Sequence, residues 1–414
     1  MGGRWLDTKL GEVLTLQRGF DLPASDRRPG RFPVVASMGV VGTHCEPMVK
    51  GPGVVIGRSG SLGGAQYVTD DFWPLNTTLW VKDFKGNDRR FCYYLLKSLD
   101  LQTFDVGSSV PTLNRNHVHP LPVRIPADVS EQRAIARILV ALDDKIELNR
   151  RMNETLEAIA RALFKSWFID FDPVHAKAAG HDPGLPADIA ALFPDSFEDS
   201  DLGEIPKGWR VSSIGSAADV IDCLHSKKPE RRIAGLPLLQ LANIRDDGLI
   251  DMGDEYLISE HDYREWVSRI EASPGDCVIT NVGRVGAVAQ MPRGQKAALG
   301  RNMTAVRCKP SFPFPTVLIE CLLSEAMSNE IARKTDVGTI LDALNVRNIP
   351  DLRFVGASDA VLQCFQSKAR PLRAEMEQRL VESRTLATLR DTLLPKLMSG
   401  ELTVENVESV MKGV

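Results

Sequence analysis

The chain has 414 residues, enough for roughly two to four domains of ordinary size, which excludes one small domain. Its composition is that of a globular protein, 43% hydrophobic and 25% charged, and no apolar run nears the eighteen or so residues of a membrane helix, so neither a transmembrane helix nor a membrane partner is expected. A net charge of −4 argues at face value against a nucleic-acid binder.

The start, Met1-Gly2-Gly3-Arg4-Trp5-Leu6-Asp7, has no apolar core of signal-peptide length, and a cytoplasmic protein is expected. Seven cysteines are scattered and never spaced Cys-x-x-Cys, so neither a disulfide framework nor a metal site is expected.

A first mixed α/β domain is predicted over 1–128, with short β-branched or aromatic strands punctuated by Gly, Pro and Asn, and a helical stretch from Arg90 to Leu99. After the β-rich run Val54-Val55-Ile56 comes Gly57-Arg58-Ser59-Gly60-Ser61-Leu62-Gly63-Gly64. Glycines let backbone N–H groups approach phosphate, and Arg58, Ser59 and Ser61 suit phosphate or base contacts. A turn demanded by strand geometry is the competing reading. A nucleotide P-loop is excluded by the missing Gly-Lys-Ser/Thr ending. Gln17 and Arg18 in a loop, and the polar stretch Ser108, Ser109, Thr112, Asn114, Arg115 and Asn116, are further DNA-contact candidates, with capping and turn formation as the alternative. His117 and His119 lack a third ligand, and surface or packing roles are expected.

A long helix is predicted over 129–169, because no Pro or Gly interrupts Ser130 to Phe168. A heptad seam runs through Ile135, Leu139, Leu142, Ile146, Asn149, Asn153, Leu156, Ala160, Leu163 and Trp167, polar only in its middle. From Ile135 to Trp167 it spans about 50 Å at 1.5 Å per residue, against roughly 34 Å for one DNA turn. An acidic linker follows at 170–208, with nine acids against two lysines; its local charge of −7 leaves the remaining chain at +3. The whole-chain charge therefore no longer speaks against DNA. Asp170, Asp172 and Lys177 superficially resemble a nuclease set, for which a structural role is expected.

The second domain, 209–356, repeats the first. Trp5-x4-Leu10-Gly11 returns as Trp209-x4-Ile214-Gly215, and Pro52-Gly53 with Gly60-x-x-Gly63 as Pro274-Gly275 with Gly283-x-x-Gly286. Asn76-x-Thr78 returns as Asn302-x-Thr304, and Val106-Gly107 with Leu113-Asn114 as Val337-Gly338 with Leu344-Asn345. The order is kept while the offset grows from 204 to 231, which places insertions in loops. The second set of DNA-contact candidates is Asn281, Arg284, Thr339, Asn345, Arg347 and Asn348, with Ser226, Lys227 and Lys228. A helical stretch is expected from Val317 to Lys334.

The second seam, in a helix over 357–400, is Phe365, Ala369, Leu372, Met376, Arg379, Ser383, Leu386, Arg390, Leu393 and Leu397. Arg390 interrupts it, and Pro371 and Pro395 are expected to kink or break the helix. A tail completes the chain at 401–414. Centred antiparallel pairing places Asn149 and Asn153 opposite Ser383 and Arg379, a polar layer that fixes register. The alternative is that each helix covers only its own domain.

Four segments then carry a family resemblance: Leu163-Phe164-Lys165-Ser166-Trp167-Phe168-Ile169-Asp170-Phe171, Leu192-Phe193-Pro194-Asp195-Ser196-Phe197, Leu202-Gly203-Glu204-Ile205-Pro206-Lys207-Gly208-Trp209 and Leu393-Leu394-Pro395-Lys396-Leu397-Met398-Ser399-Gly400. Together they resemble the specificity (S) subunit of type I restriction-modification enzymes. The resemblance implies two target-recognition domains, each reading half of a bipartite site in double-stranded DNA, separated by an antiparallel pair of long helices. It also implies two methyltransferase subunits and, in the restriction form, two translocating nuclease subunits. S-adenosylmethionine would belong to the former, ATP and magnesium to the latter, and no cofactor to this chain.

Two rival readings are a coiled-coil adaptor of a modification-only or other DNA-defence complex, and a fused methyltransferase or nuclease. The second lacks support, because Asn/Asp-Pro-Pro-Tyr/Phe, Phe-x-Gly-x-Gly and a Walker lysine are all missing.

Overall fold

The computed structural model describes residues 4–101, 112–336, 338 and 342–407. Its two compact units comprise 1–147 with 385–414, and 148–384. The strands of the first unit are β1 (Trp5–Lys9), β2 (Thr15–Arg18), β3 (Phe32–Ala36), β4 (Gly39–His44), β5 (Gly53–Gly57), β6 (Gly63–Val68), β7 (Trp73–Pro74), β8 (Thr78–Asp83) and β9 (Pro122–Pro126). They form sheets of order β2-β8-β5-β6, β4-β3-β7 and β1-β9. All five residues of β5 are buried, which is why that strand reads as a continuous apolar run rather than an alternation. A helix, Arg89–Ser98, opens on Asp88, whose side chain accepts from the Phe91 N–H at 3.0 Å, and buries Phe91, Cys92, Tyr94, Leu95 and Leu96.

The second unit contains β10 (Phe197–Ser200), β11 (Gly203–Pro206), β12 (Arg210–Ser213), β13 (Ala218–Asp222), β14 (Leu236–Leu239), β15 (Leu257–Ile258), β16 (Cys277–Thr280), β17 (Val288–Gln290), β18 (Ala298–Leu299), β19 (Met303–Cys308), β20 (Thr335–Asp336), β21 (Ala343–Leu344) and β22 (Arg353–Gly356). Its sheets β13-β19-β16-β17, β15-β14-β18 and β12-β22 repeat the three sheets of the first unit in the same order. Even the parallel pairing of two strands recurs, β3 with β7 and β14 with β18. The internal repeat is therefore a repeat of topology.

The repeated Leu/Ile-Gly pair has a steric cause. Gly11 donates to the His119 carbonyl and Gly215 to the Pro350 carbonyl, both at 2.8 Å. A Cβ on Gly11 would stand 3.0 Å from the His119 side chain, and one on Gly215 2.9 Å from Pro350. A side chain at either position would press on the facing chain, a crowding that glycine avoids in both copies.

The two long helices are Val129–Phe168 and Asp359–Ser399. The expected break at Pro371 and Pro395 does not occur, since the second helix continues through both. A helix-interior proline costs about 3 kcal/mol, but each is flanked by side chains that bury only if the helix continues. Around Pro371 these are Phe365, Ala369 and Met376, all fully buried; around Pro395 they are Leu394, Leu397 and Met398. The stretch expected as one helix from Val317 to Lys334 is instead two, Pro315–Leu323 and Glu325–Lys334, because the Ser324 hydroxyl accepts from the Met327 N–H at 3.2 Å and starts a new helix.

In the first unit, Ile135, Ala136 and Leu139 share one core with Leu394, Leu397, Met398, Leu10 and Phe91. In the second, Phe365 lies against Phe164, Trp167 and Phe168, with ring centroids 5.6, 6.0 and 5.2 Å away, in a core with Trp209 and Ile214. Residues 170–208 are no extended spacer. Phe171, Val174, Ile189 and Phe193 are buried in that core, while the acids of the segment stay exposed or half-buried. Lys177 donates to the carbonyls of Ala190 and Phe193, and Lys165 pairs with Asp170, so these groups serve the fold rather than assemble a nuclease set.

Candidate nucleic-acid interface

The glycine-rich loops and the polar stretches meet in both halves through the same backbone clasp. In the first, the Leu113 N–H donates to the Arg58 carbonyl at 2.7 Å, and Ser59 bridges Thr112. In the second, the Leu344 N–H donates to the Asn281 carbonyl at 2.9 Å, and Val282 bridges Ala343. Gly60 and Gly63, like Gly283 and Gly286, take φ between +71° and +90°, so the glycines are first a requirement of the turn. The clasp still brings Arg58, Ser59, Ser61, Thr112, Asn114 and Arg115 onto one stretch of surface, and their side chains are exposed or half-buried.

Arg58 donates through Nη1 to the Asn76 carbonyl at 3.3 Å. Asn281, which occupies the same register, is a correction. It is only 6% exposed, donates to the Leu344 carbonyl at 3.1 Å and accepts from the Thr304 hydroxyl at 2.9 Å, so its amide is committed to the interior. Arg284 is exposed, but its guanidinium donates to the Ile244 carbonyl at 2.6 Å and pairs with Asp246. Asn114 and Asn345 accept from the N–H groups of Asn116 and Arg347 at 2.9 and 3.0 Å and cap short helical turns. Arg115, Arg347 and Lys227 are exposed. Ser109 and Thr339 lie outside the described residues. Gln17 and Arg18 stand on β2, not in a loop.

Along the helices, Leu142 is buried and Leu156, Leu163, Leu372, Leu386 and Leu393 are half-buried. Asn149 donates to Glu382 at 2.8 Å and to the Ser383 hydroxyl at 3.3 Å. Arg379 reaches Asn149 at 3.3 Å rather than Asn153, which donates instead to the Met376 carbonyl at 3.1 Å. The pairing order, Asn149 with Ser383 and Phe164 with Phe365, is antiparallel. In the first unit Arg390, expected as an interruption, donates to Asp143 at 2.7 Å, and the Tyr94 hydroxyl donates to the other Asp143 oxygen at 2.7 Å. The seam is polar there because the facing long helix supplies the counter-charge, Asp143, which the domain's Tyr94 hydroxyl also holds.

One cluster escaped sequence reasoning. Asp222, Cys223 and His225 bring one ligand atom each within 4.8 Å of one another. The Asp222 carboxylate already meets the His225 Nε2 at 2.9 Å and faces the Arg269 guanidinium at 3.5 Å, while burial pushes the Cys223 thiol up. A cation beside a protonated thiol is a poor metal donor set.

Residues 3–158 match the model of the type I restriction modification DNA specificity domain. The chain is 25% identical over 340 residues to the type I restriction enzyme HindI specificity subunit of Haemophilus influenzae, covering 72% of each chain. It is 27% identical over 345 residues to the MjaIX specificity subunit of Methanocaldococcus jannaschii, covering 81% of this chain and 74% of the relative. Its fold is similar to the crystal structure of a type I restriction-modification S subunit from M. genitalium, with TM-score 0.61, 16% identity and 96% of each chain covered. Among the described residues, no helix is long and apolar enough to cross a membrane. Residues 3–158 are thus similar to a type I restriction modification DNA specificity domain, and the chain as a whole is similar in sequence to two specificity subunits of those systems and in fold to an S subunit.

Proposed function

We propose that each half of this specificity subunit reads one half of an asymmetric, bipartite DNA site. In this reading the paired long helices fix the spacer and dock two methyltransferase subunits, joined in the restriction form by two translocating nuclease subunits. Methyl transfer from S-adenosylmethionine is the methyltransferase's chemistry, and ATP with magnesium serves the nuclease. This chain recognises and does not catalyse. The observation that carries the reading is the doubling of one sheet set with different side chains at equal positions: Arg58 in one clasp, Asn281 in the other. Two equal scaffolds with unequal surfaces suit two unequal half-sites, as symmetric dimers suit palindromes.

Mapping methylated adenines in cells that carry this chain and its methyltransferase tests the reading. One asymmetric motif with an unspecified spacer is expected, and a contiguous motif would refute it. Binding by the assembled complex without sequence preference would favour the adaptor instead. Inserting one helical turn within 147–154 should change the spacer, and an unchanged spacer would remove the ruler. With only +3 outside the acidic segment, the isolated chain should bind weakly and depend on its partners for phosphate contacts.

A further inference from the structure

The strand at the middle of each three-stranded sheet is entered by a basic run. Arg27-Arg28-Pro29-Gly30-Arg31-Phe32-Pro33 leads into β3, and Arg231-Arg232-Ile233-Ala234-Gly235-Leu236-Pro237 leads into β14, preceded by Lys227 and Lys228. A double arginine, a glycine and an apolar-proline pair recur in one order at one topological place.

Little in the fold requires these cations. Arg28, Arg31, Arg231, Arg232, Lys227 and Lys228 are exposed, and Arg27 is half-buried. Arg28 faces Glu46 at 3.7 Å, Arg232 faces Glu230 at 3.6 Å and Arg231 faces Asp254 at 2.5 Å, in pairs whose side chains are all more than half exposed. Such pairs are worth roughly 0–1 kcal/mol and are screened by salt. What does hold the runs is uncharged. Arg27 donates to the Val41 carbonyl at 3.3 Å, and Arg31 lies 5.0 Å from the Phe32 ring centre. In the second half, Tyr256 carries Lys228 at 4.0 Å and Arg231 at 5.9 Å. The cations are positioned by uncharged contacts, and the carboxylates facing Arg28, Arg231 and Arg232 are themselves exposed and exchangeable, in a chain whose total charge is negative.

We propose that these two runs are phosphate anchors, each seating its half of the subunit on the backbone of duplex DNA beside the half-site it reads. The proposal rests on the reading of the chain as a DNA specificity subunit. On binding, the exposed carboxylates exchange for phosphate oxygens, and counterions leave the duplex. Because backbone contacts carry no sequence information, the anchors set affinity and register while other residues set the motif.

The test uses the complex with its methyltransferase, and duplexes that carry the mapped site, from about 50 to about 300 mM salt. One variant combines R27Q, R28Q and R31Q; the other combines K227Q, K228Q, R231Q and R232Q. Each should weaken binding roughly tenfold or more and flatten the plot of log affinity against log salt by about 0.9 for every phosphate that is no longer neutralised. The methylated motif should not change. Arginine-to-lysine versions should restore most of the affinity and the slope, which a merely structural role would not do. Unchanged affinity and slope in a folded complex overturn the proposal, and so does a changed base at one half-site, which would make the run a base reader. If the unaltered complex modifies no bipartite site, the functional reading fails first.

Discussion

At one register position the two halves hold the same backbone and opposite side chains. The carbonyls of Arg58 and Asn281 accept the same bond from Leu113 and Leu344, yet one side chain is half-exposed and the other sealed inside. A clasp made by main-chain groups leaves the side chain free to change, so the scaffold repeats while the surface diverges. That separation lets one fold present two different surfaces from one chain.

The halves also hold the long helices differently, and this gives the largest expected effect. In the second unit, Arg373 and Glu320 form an ion pair 3.2 Å apart, with side chains only 4% and 1% exposed, and Arg373 also donates to the Gly248 carbonyl at 2.6 Å. Burial raises the Glu320 carboxyl, an effect Arg373 opposes. Arg373→Met would strand that carboxylate and destabilise the second unit by about 3–5 kcal/mol. The first unit's Arg390–Asp143 pair is more open, at 17% and 26% exposed, so Arg390→Met should cost markedly less. Urea unfolding followed by hydrogen exchange, read separately in each unit, checks this; equal losses would break the comparison.

The clasp itself supplies the next effect. Asn281→Ala leaves buried partners at Leu344 and Thr304 unsatisfied and should cost about 1–3 kcal/mol. Arg58→Ala should stay within about 0.5 kcal/mol for a surface change and act on DNA affinity instead. Thermal unfolding alongside DNA titration of the complex separates the two, and a stable Asn281→Ala that loses DNA binding would reverse the assignment.

Much of this architecture was legible in sequence because it is punctuated by residues with few substitutes. Gly11 and Gly215 mark a close chain approach, Gly60 and Gly283 mark left-handed turns, and the heptad steps mark the helices. The unbroken second helix was not legible, because the penalty of Pro371 and Pro395 is local while the burial of Phe365 and Leu397 that outweighs it is tertiary. Asn281 misled for the same reason: asparagine after a strand suits DNA or a clasp equally, and only the partner 63 residues away decides. The basic runs were missed because an inserted residue shifts Gly30 against Gly235 and hides the match between Arg27-Arg28 and Arg231-Arg232.

The smallest expected effect depends on pH and belongs to the first half alone. The His119 Nε2 accepts the Leu16 N–H at 3.0 Å, which only a neutral ring can do. Burial, with Arg115 and Lys85 nearby, holds the His119 pKa below the usual histidine value. The unfolded chain therefore binds the proton more readily. The stabilisation is complete above the unfolded pKa of about 6.5 and is lost as pH falls through the lower folded value. In the second half the matching carbonyl acceptor, opposite Gly215, belongs to Pro350, which cannot titrate. Lowering pH from about 7 to about 5 should thus destabilise the first unit by about 1 kcal/mol from this bond, with no matching contribution in the second. In the variant His119→Gln the acid sensitivity of the first unit should flatten, and an undiminished slope would show that another group carries it.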